Sequence, residues 1–290
     1  MNDLNHRLIC NLNIIKYLNA LNGLKMKTMI IAVLICLALL KSQTVSAQVE
    51  LSDSLALVDL YNYTNGPDWT HHENWLEGPL KSWYGVTFTD NRVIRLSLAD
   101  NKLNGYIPES LGNLNQLKQL CLAYNQLGDT IPKSLGKLSK LQFLCLQGNQ
   151  LDGNIPPSLG QLSLLQGLFL NDNYLEGAIP ESLGSLSNLT DIGLYANRLS
   201  GNIPASLGNL TKLQYLLMNG NQLCGTIPES FGKLSNLRSL WLNDNELKGP
   251  VPSTLKNLSN LQRLNLSSNQ INGSSFLKNL PALKDLWLDE

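Results

Sequence analysis

Asparagine returns every 24 residues through most of this chain, at Asn101, Asn125, Asn149, Asn173, Asn197, Asn221, Asn245 and Asn269. The same apolar phrase surrounds each one. LKQLCLAYNQL starts at Leu117, LQFLCLQGNQL at Leu141, LQGLFLNDNYL at Leu165, LTDIGLYANRL at Leu189, LQYLLMNGNQL at Leu213 and LRSLWLNDNEL at Leu237. The second half of each unit keeps step. Ile-Pro falls at 107–108, 131–132, 155–156, 179–180, 203–204 and 227–228, with Val251-Pro252 after them. Leu-Gly falls at 111–112, 135–136, 159–160, 183–184 and 207–208. A fixed period of this length makes each unit one supersecondary element that cannot bury its leucines alone, so the units must stack.

The physics of one unit follows from its pattern. LxxLxL alternates apolar and variable positions, the period of a half-buried strand. Side-by-side stacking then builds a parallel sheet with its leucines inward. The asparagine sits where the chain leaves the strand, and its amide is suited to satisfy buried backbone groups of adjacent turns. Glycines at 105, 153, 177, 201, 225, 249 and 273 suit a turn with positive φ, and Asp129 takes that place in one unit. The prolines remove a backbone donor, which predicts an irregular or edge-like side there. Leu-Gly and the next leucine are expected to close the turn as a short helical piece.

The repeating phrase LxxLxLxxNxLxGxIPxxLGxL resembles the plant-type class of extracellular leucine-rich repeats. The resemblance covers 93–288 and implies an α/β repeat fold. Its form is a curved solenoid of about eight 24-residue units, with parallel strands on the concave face and a helical N-terminal cap. It also implies work in binding proteins, peptides or glycans. The segment before the repeats fits the same class. SLALVDLYNYTNGPDWT reads as a short amphipathic helix ending at Asn65-Gly66, followed by Trp69, Trp75, Trp83 and WYGVTFTDNRVIRLSL. Plant caps of this class carry a cysteine pair whose places here hold Lys81 and Phe88. That departure points to a bacterial or protist secreted member. The chain thus divides into an extension plus signal at 1–47, a cap at 48–92 and repeats at 93–290.

The N-terminal division rests on a secretory signal. Lys25 and Lys27 precede the short apolar run TMIIAVLICLALL at 28–40, and Val45-Ser46-Ala47 follows it. This pattern predicts cleavage after Ala47, with residues 1–25 arising from an early start codon. An uncleaved anchor is the alternative, and it would bring a membrane into play. Loss of 1–47 removes five bases and one acid, leaving 17 and 21 and a net charge of −4. The whole chain balances 22 bases against 22 acids, so nothing in its charge favours nucleic acid or an anionic membrane. Cys121, Cys145 and Cys224 remain after cleavage, an odd count and no disulfide framework.

The third, fifth, seventh and eighth positions of each strand phrase are expected to face solvent on the concave side. They hold a stripe of Tyr124, Phe143, Phe169, Tyr195, Tyr215, Trp241 and Trp287, with Asp172, Asp191 and Asp244 among the acids and amides between. Exposed aromatics beside polar groups suit a ligand interface. The same aromatics packing on one another to stabilise the sheet is the competing account. The three aspartates also raise glycoside cleavage, but an open face offers nothing to lift a carboxylate pKa. Cys121 and Cys145 occupy one place in adjacent units and are expected as free or loosely paired thiols. No histidine lies in the repeats to activate a nucleophile. His71, His72 and Glu73 carry metal-ligating types without a full ligand set, and read as a solvated loop. No cofactor or metal is called for.

The C-terminal unit is shorter. It starts at Leu261, spans 22 residues and has Ser275-Phe276 in place of Ile-Pro. LKDLWLDE then stops one residue before its ladder asparagine, which reads as a fragment or a crude cap. Sequence reading therefore expects a secreted or cell-surface, non-catalytic binding module. An inhibitor of a secreted hydrolase, like the polygalacturonase-inhibiting proteins, and a truncated receptor-kinase ectodomain are the alternatives.

Overall fold

A computed structural model describes residues 51–289 of the chain, and the signal reading of 1–47 lies outside them. Residues 51–63 form an α-helix whose Ala56, Leu57 and Leu60 are buried. The helix ends with Asn65 in the left-handed region (φ 56°), as its Asn-Gly sequence predicts. Asp53 is wholly buried. Its carboxylate accepts from Arg92 Nε at 3.0 Å, Arg92 Nη2 at 2.9 Å and the Val93 amide at 2.9 Å. That charge-assisted fork ties the helix to the sheet edge. Tyr61, Trp69, Trp75 and Trp83 form one aromatic cluster with centroids 4.8–5.9 Å apart, in the region where plant relatives are expected to carry a disulfide.

The main sheet begins with an antiparallel hairpin, Val86–Thr89 and Arg92–Ser97. Asp90 and Asn91 both have positive φ, the geometry of a two-residue turn that matches strand twist. The parallel strands Gln119–Cys121, Phe143–Cys145, Gly167–Phe169, Asp191–Gly193, Tyr215–Leu217, Ser239–Trp241, Arg263–Asn265 and Asp285–Trp287 follow in chain order. Gln119 pairs with Phe143 and Leu120 with Leu144, so the 24-residue period is the sheet register itself. Register survives in the short final unit, where Arg263 pairs with Asp285. Leu120, Leu122, Leu144 and Leu146 are buried, as are their counterparts from Leu96 to Leu266, while Leu286 and Leu288 of the last strand are partly buried.

The ladder asparagines close the strand side. Asn173 Nδ2 donates to the carbonyls of Leu146 (3.0 Å), Leu170 (3.1 Å) and Asn171 (3.1 Å), while its Oδ1 accepts the Leu151 amide at 3.0 Å. Asn149, Asn197, Asn221 and Asn245 repeat this set. Asn101 instead exchanges hydrogen bonds with the His71 backbone, joining the first unit to the preceding loop.

One feature differs from the sequence expectation. The side after the ladder is not irregular. It carries a second parallel sheet of Glu176–Ala178, Arg198–Asn202, Gln222–Gly225, Glu246–Pro250 and Gln270–Asn272, with a separate pair, Asn104–Tyr106 and Gln126–Gly128. The Ile-Pro and Val-Pro prolines fall just beyond these strands, at the entry to 3₁₀ turns, where no ladder donor is lost.

Leu-Gly lies in a short helical piece, a 3₁₀ turn, as the sequence predicts. Gly112, Gly136, Gly160, Gly184, Gly208 and Gly232 do not have positive φ. A Cβ on any of them would lie 2.4–2.7 Å from the Ser or Thr of the next unit's 3₁₀ turn. These glycines exist for close approach, and a hydroxyl ladder uses it. Ser182 Oγ donates to Pro157 O, Ser206 to Glu181 O and Ser230 to Ala205 O, at 2.7–2.8 Å. Lys256 replaces the glycine in the turn Ser253–Asn257, and the following turn, Ser275–Asn279, packs less closely on it.

Candidate functional site

In-register parallel pairing projects equal positions of successive units onto one face. The third position gives the row Arg95, Gln119, Phe143, Gly167, Asp191, Tyr215. The fifth gives Ser97, Cys121, Cys145, Phe169, Gly193, Leu217, Trp241. Two glycines interrupt these rows, one in each. A Cβ on Gly167 would meet the Phe169 ring at 2.7 Å and the Phe143 ring at 2.9 Å. A Cβ on Gly193 would meet Asn171 Oδ1 at 2.8 Å and the Phe169 ring at 3.5 Å. The missing side chains let Phe169 lie across the sheet and open a depression of about 360 Å³. Tyr124, Gln147, Phe169, Asn171, Asp191, Tyr195, Tyr215 and Leu217 wall it, with Gly193 in the lining.

The structure therefore brings together Tyr124, Phe169, Asp191, Tyr195 and Tyr215 from the sequence stripe. Phe143 borders the Gly167 gap. Asp172 adjoins the depression: it accepts from Asn171 Nδ2 at 2.7 Å, and its charge acts on Tyr195. Trp241 and Trp287 pair edge to face at 6.2 Å toward the far end of the sheet, outside the depression. Asp244, held by Asn243, also lies outside. Gln147, Leu217 and the glycine gaps complete the wall. The two glycines in outward strand positions were the available signal for them.

The expectation that all four positions face solvent needs correction. Ala123 and Asn171 at the seventh position and Ser239 at the third are buried, at 1, 3 and 4% exposure. The chain turns inward after the fifth position to seat the ladder asparagine. The eighth position is left-handed in every complete unit: Asp100, Tyr124, Gly148, Asp172, Ala196, Gly220, Asp244 and Ser268. Among these Tyr124 is the only bulky side chain, and it stands 58% exposed. A Cβ on Gly148 would strike its ring at 2.5 Å, so Gly148 makes room for Tyr124.

Asp191 Oδ2 accepts from Thr190 Oγ1 at 2.5 Å. Burial first, then the Asp172 charge, raises the Tyr195 phenol above its ordinary range. The side-chain oxygens of Gln147, Asn219 and Asn243 and the indole N–H of Trp241 are buried without a partner. Cys121 and Cys145 stand in register as free thiols. A hydrogen bond from Cys145 draws the Cys121 thiol down to about 6, and loss of the second proton is pushed far up. His71 Nδ1 lies 3.2 Å from Glu73 Oε1 and its ring stacks on Tyr84, both at the exposed surface.

Stacked coils with one strand face walled by aromatics and acids define a repeat scaffold. The family models that match describe a leucine-rich repeat region at residues 84–219 and leucine-rich repeats at 212–234 and 226–271. Solved structures agree. A plant ice-binding protein superposes with a TM-score of 0.73 at 30% identity, over 82% of this chain and 78% of that one. The complex described as PEPR1–AtPEP1 gives 0.65 at 33% identity, over 80% and 37%. The leucine-rich-repeat ectodomain of the receptor kinase GASSHO1/SCHENGEN3 from Arabidopsis thaliana, in complex with CASPARIAN STRIP INTEGRITY FACTOR 2, gives 0.62 at 32% identity, over 81% and 35%. The chain belongs to the leucine-rich repeat family. It spans about a third of the length of those two receptor structures. A search of the curated proteins returns no match.

Proposed function

We propose that the chain is a non-catalytic recognition module, secreted or displayed at the cell surface, that binds an extended peptide or protein segment across the main-sheet face. The observation that carries this reading is the aromatic depression. It joins five successive units, and nothing in the described residues covers it. Likeness to ectodomains solved with peptide ligands supports a peptide over a glycan. The three aspartates of the face stand on an open sheet, with no geometry that pairs them for acid–base work. We take 48–92 as the cap and 93–290 as the recognition array.

Panning a random linear peptide library on the full chain tests the reading. Selected peptides are expected to lose binding to the double variant Phe169→Glu/Tyr215→Glu while its melting temperature stays near that of the parent. Peptides that bind both proteins equally would refute the assignment to this face.

Ice recognition is a second reading, favoured by the length-matched relative. Thr130, Asn154, Asn202 and Thr226 recur at one place in the side-sheet coil, the kind of short polar row an ordered surface needs. Ala178 and Pro250 interrupt that row, and Tyr174, Glu176 and Lys248 roughen the sheet, so this reading ranks second. A thermal hysteresis measurement decides it, and a null result removes it.

A further inference from the structure

We propose that the depression selects a cationic side chain, arginine or lysine, of its peptide ligand. The inference rests on the peptide reading above and specifies its chemistry. Four aromatic rings, Tyr124, Phe169, Tyr195 and Tyr215, wall one small space. Their faces carry negative quadrupole charge and attract a cation placed over them. Asp191 lines the same space. Thr190 fixes its Oδ2, while its Oδ1 accepts no hydrogen bond among the described residues. Asp172 adds a second carboxylate beside Tyr195.

No base answers these acids. Outward strand positions carry arginine only at Arg95 and Arg263, in the first and last complete units, away from the depression. An ammonium or guanidinium group supplies what the space lacks: positive charge, several N–H donors and a stem that packs on rings. An anionic side chain would meet two carboxylates. A purely apolar one would bury the free Oδ1 of Asp191 unpaired, which is costly.

The nearest alternative occupant is a sugar, whose ring faces also stack on aromatics beside aspartate. It would gain nothing from the unneutralised charge, and its binding would be insensitive to salt. A cation in this space is attracted through charges that salt partly screens.

The test uses peptides selected on the full chain as above. In each, arginine is replaced by citrulline, or lysine by acetyl-lysine. Both replacements remove the charge, citrulline at nearly unchanged size and acetyl-lysine with two added carbons, and they leave the protein untouched. Affinity is expected to fall about tenfold or more for one cationic position per peptide, a loss on the scale of a partly desolvated cation–aromatic contact with its ion pair. Asp191→Asn is expected to weaken the charged peptide at least threefold and leave the citrulline peptide unchanged. Tyr195→Leu, which keeps apolar volume but loses the ring, should do the same. Asn209→Ala, on an exposed 3₁₀ turn away from the main-sheet face, should change neither. Selected peptides that bind equally well as citrulline forms overturn the inference and leave the peptide reading standing. Failure to select any peptide overturns both.

Discussion

Replacement of Asn173 by alanine measures what the ladder contributes, and the cost can be worked from its hydrogen bonds. Asn173 is 5% exposed and holds four partners. The carbonyls it serves each keep a second donor: Leu146 O from Asn149, Leu170 O from Asn197, and Asn171 O from the Gly148 amide. Leu151 N–H does not, because Asn173 Oδ1 is its acceptor. The expected loss is one buried orphan donor, about 1–3 kcal/mol, plus a few tenths for each shared carbonyl bond, roughly 2–4 kcal/mol in all. Urea unfolding followed by far-UV circular dichroism reads that value, and hydrogen exchange locates it at the Leu151 amide. Asn173→Asp keeps the acceptor but turns an oxygen toward three carbonyls. It should cost more than alanine at neutral pH and recover as pH falls, when the protonated acid becomes a donor. Asn209→Ala, on the surface, should stay within about 0.5 kcal/mol of the parent. The reasoning fails if Asn173→Ala does too, or if the Leu151 amide keeps its protection.

Further outcomes follow from other sites. Gly184→Ala places a Cβ 2.5 Å from Ser206 and should cost about 1–3 kcal/mol by overpacking, with local exchange rising in both 3₁₀ turns. Cys121 should be alkylated with a pH midpoint near 6, and Cys145→Ser should return it toward the ordinary thiol range, as read by mass spectrometry. Asp289 accepts the Ser268 and Asn269 amides, which lowers its carboxyl pKa. Its contribution is therefore present above the unfolded value of about 4 and lost as pH falls through the lower folded value. Those two amides should lose exchange protection in acid, and Asp289→Asn should flatten the pH dependence. Tyr124→Gly should change stability by under about 1 kcal/mol, since relief at positive φ offsets lost ring contact, yet weaken peptide binding several-fold. The intact mass of secreted protein should place Gln48 at its N-terminus.

The repeat was legible because register and period are one quantity. Pairing of Gln119 with Phe143 needs only that equal positions meet, and the spacing of Asn125 and Asn149 states this directly. What escaped depends on the next coil. Gly136 looks like a turn residue in its own unit, and only Ser158 of the following turn shows that it makes space. Gly167 and Gly193 look like weak strand residues until the Phe169 ring is laid over them. The left-handed eighth position did carry a local signal, since Asp100, Gly148, Asp172, Gly220 and Asp244 all tolerate it. Tyr124 hid the rule by breaking it. Within the site, Tyr124, Phe169, Asp191, Tyr195 and Tyr215 were readable from position alone. Their separation from Trp241 and Trp287 was not, because it depends on which outward positions are empty.

Tyr124 is where the demands of scaffold and site conflict. A residue at positive φ with a bulky side chain costs of order 1 kcal/mol or more and persists only where its surroundings hold it. The other units solve the same bend with Asp, Gly, Ala or Ser. Gly148 then omits its own side chain to receive the tyrosine ring. One unit has thus added bulk at this bend, and its neighbour carries the glycine that admits the ring. Packing does not require this, since the leucines beneath are buried alike in both units. The exchange makes sense for the ring's exposed face, which looks onto the depression walled by Phe169, Tyr195 and Tyr215.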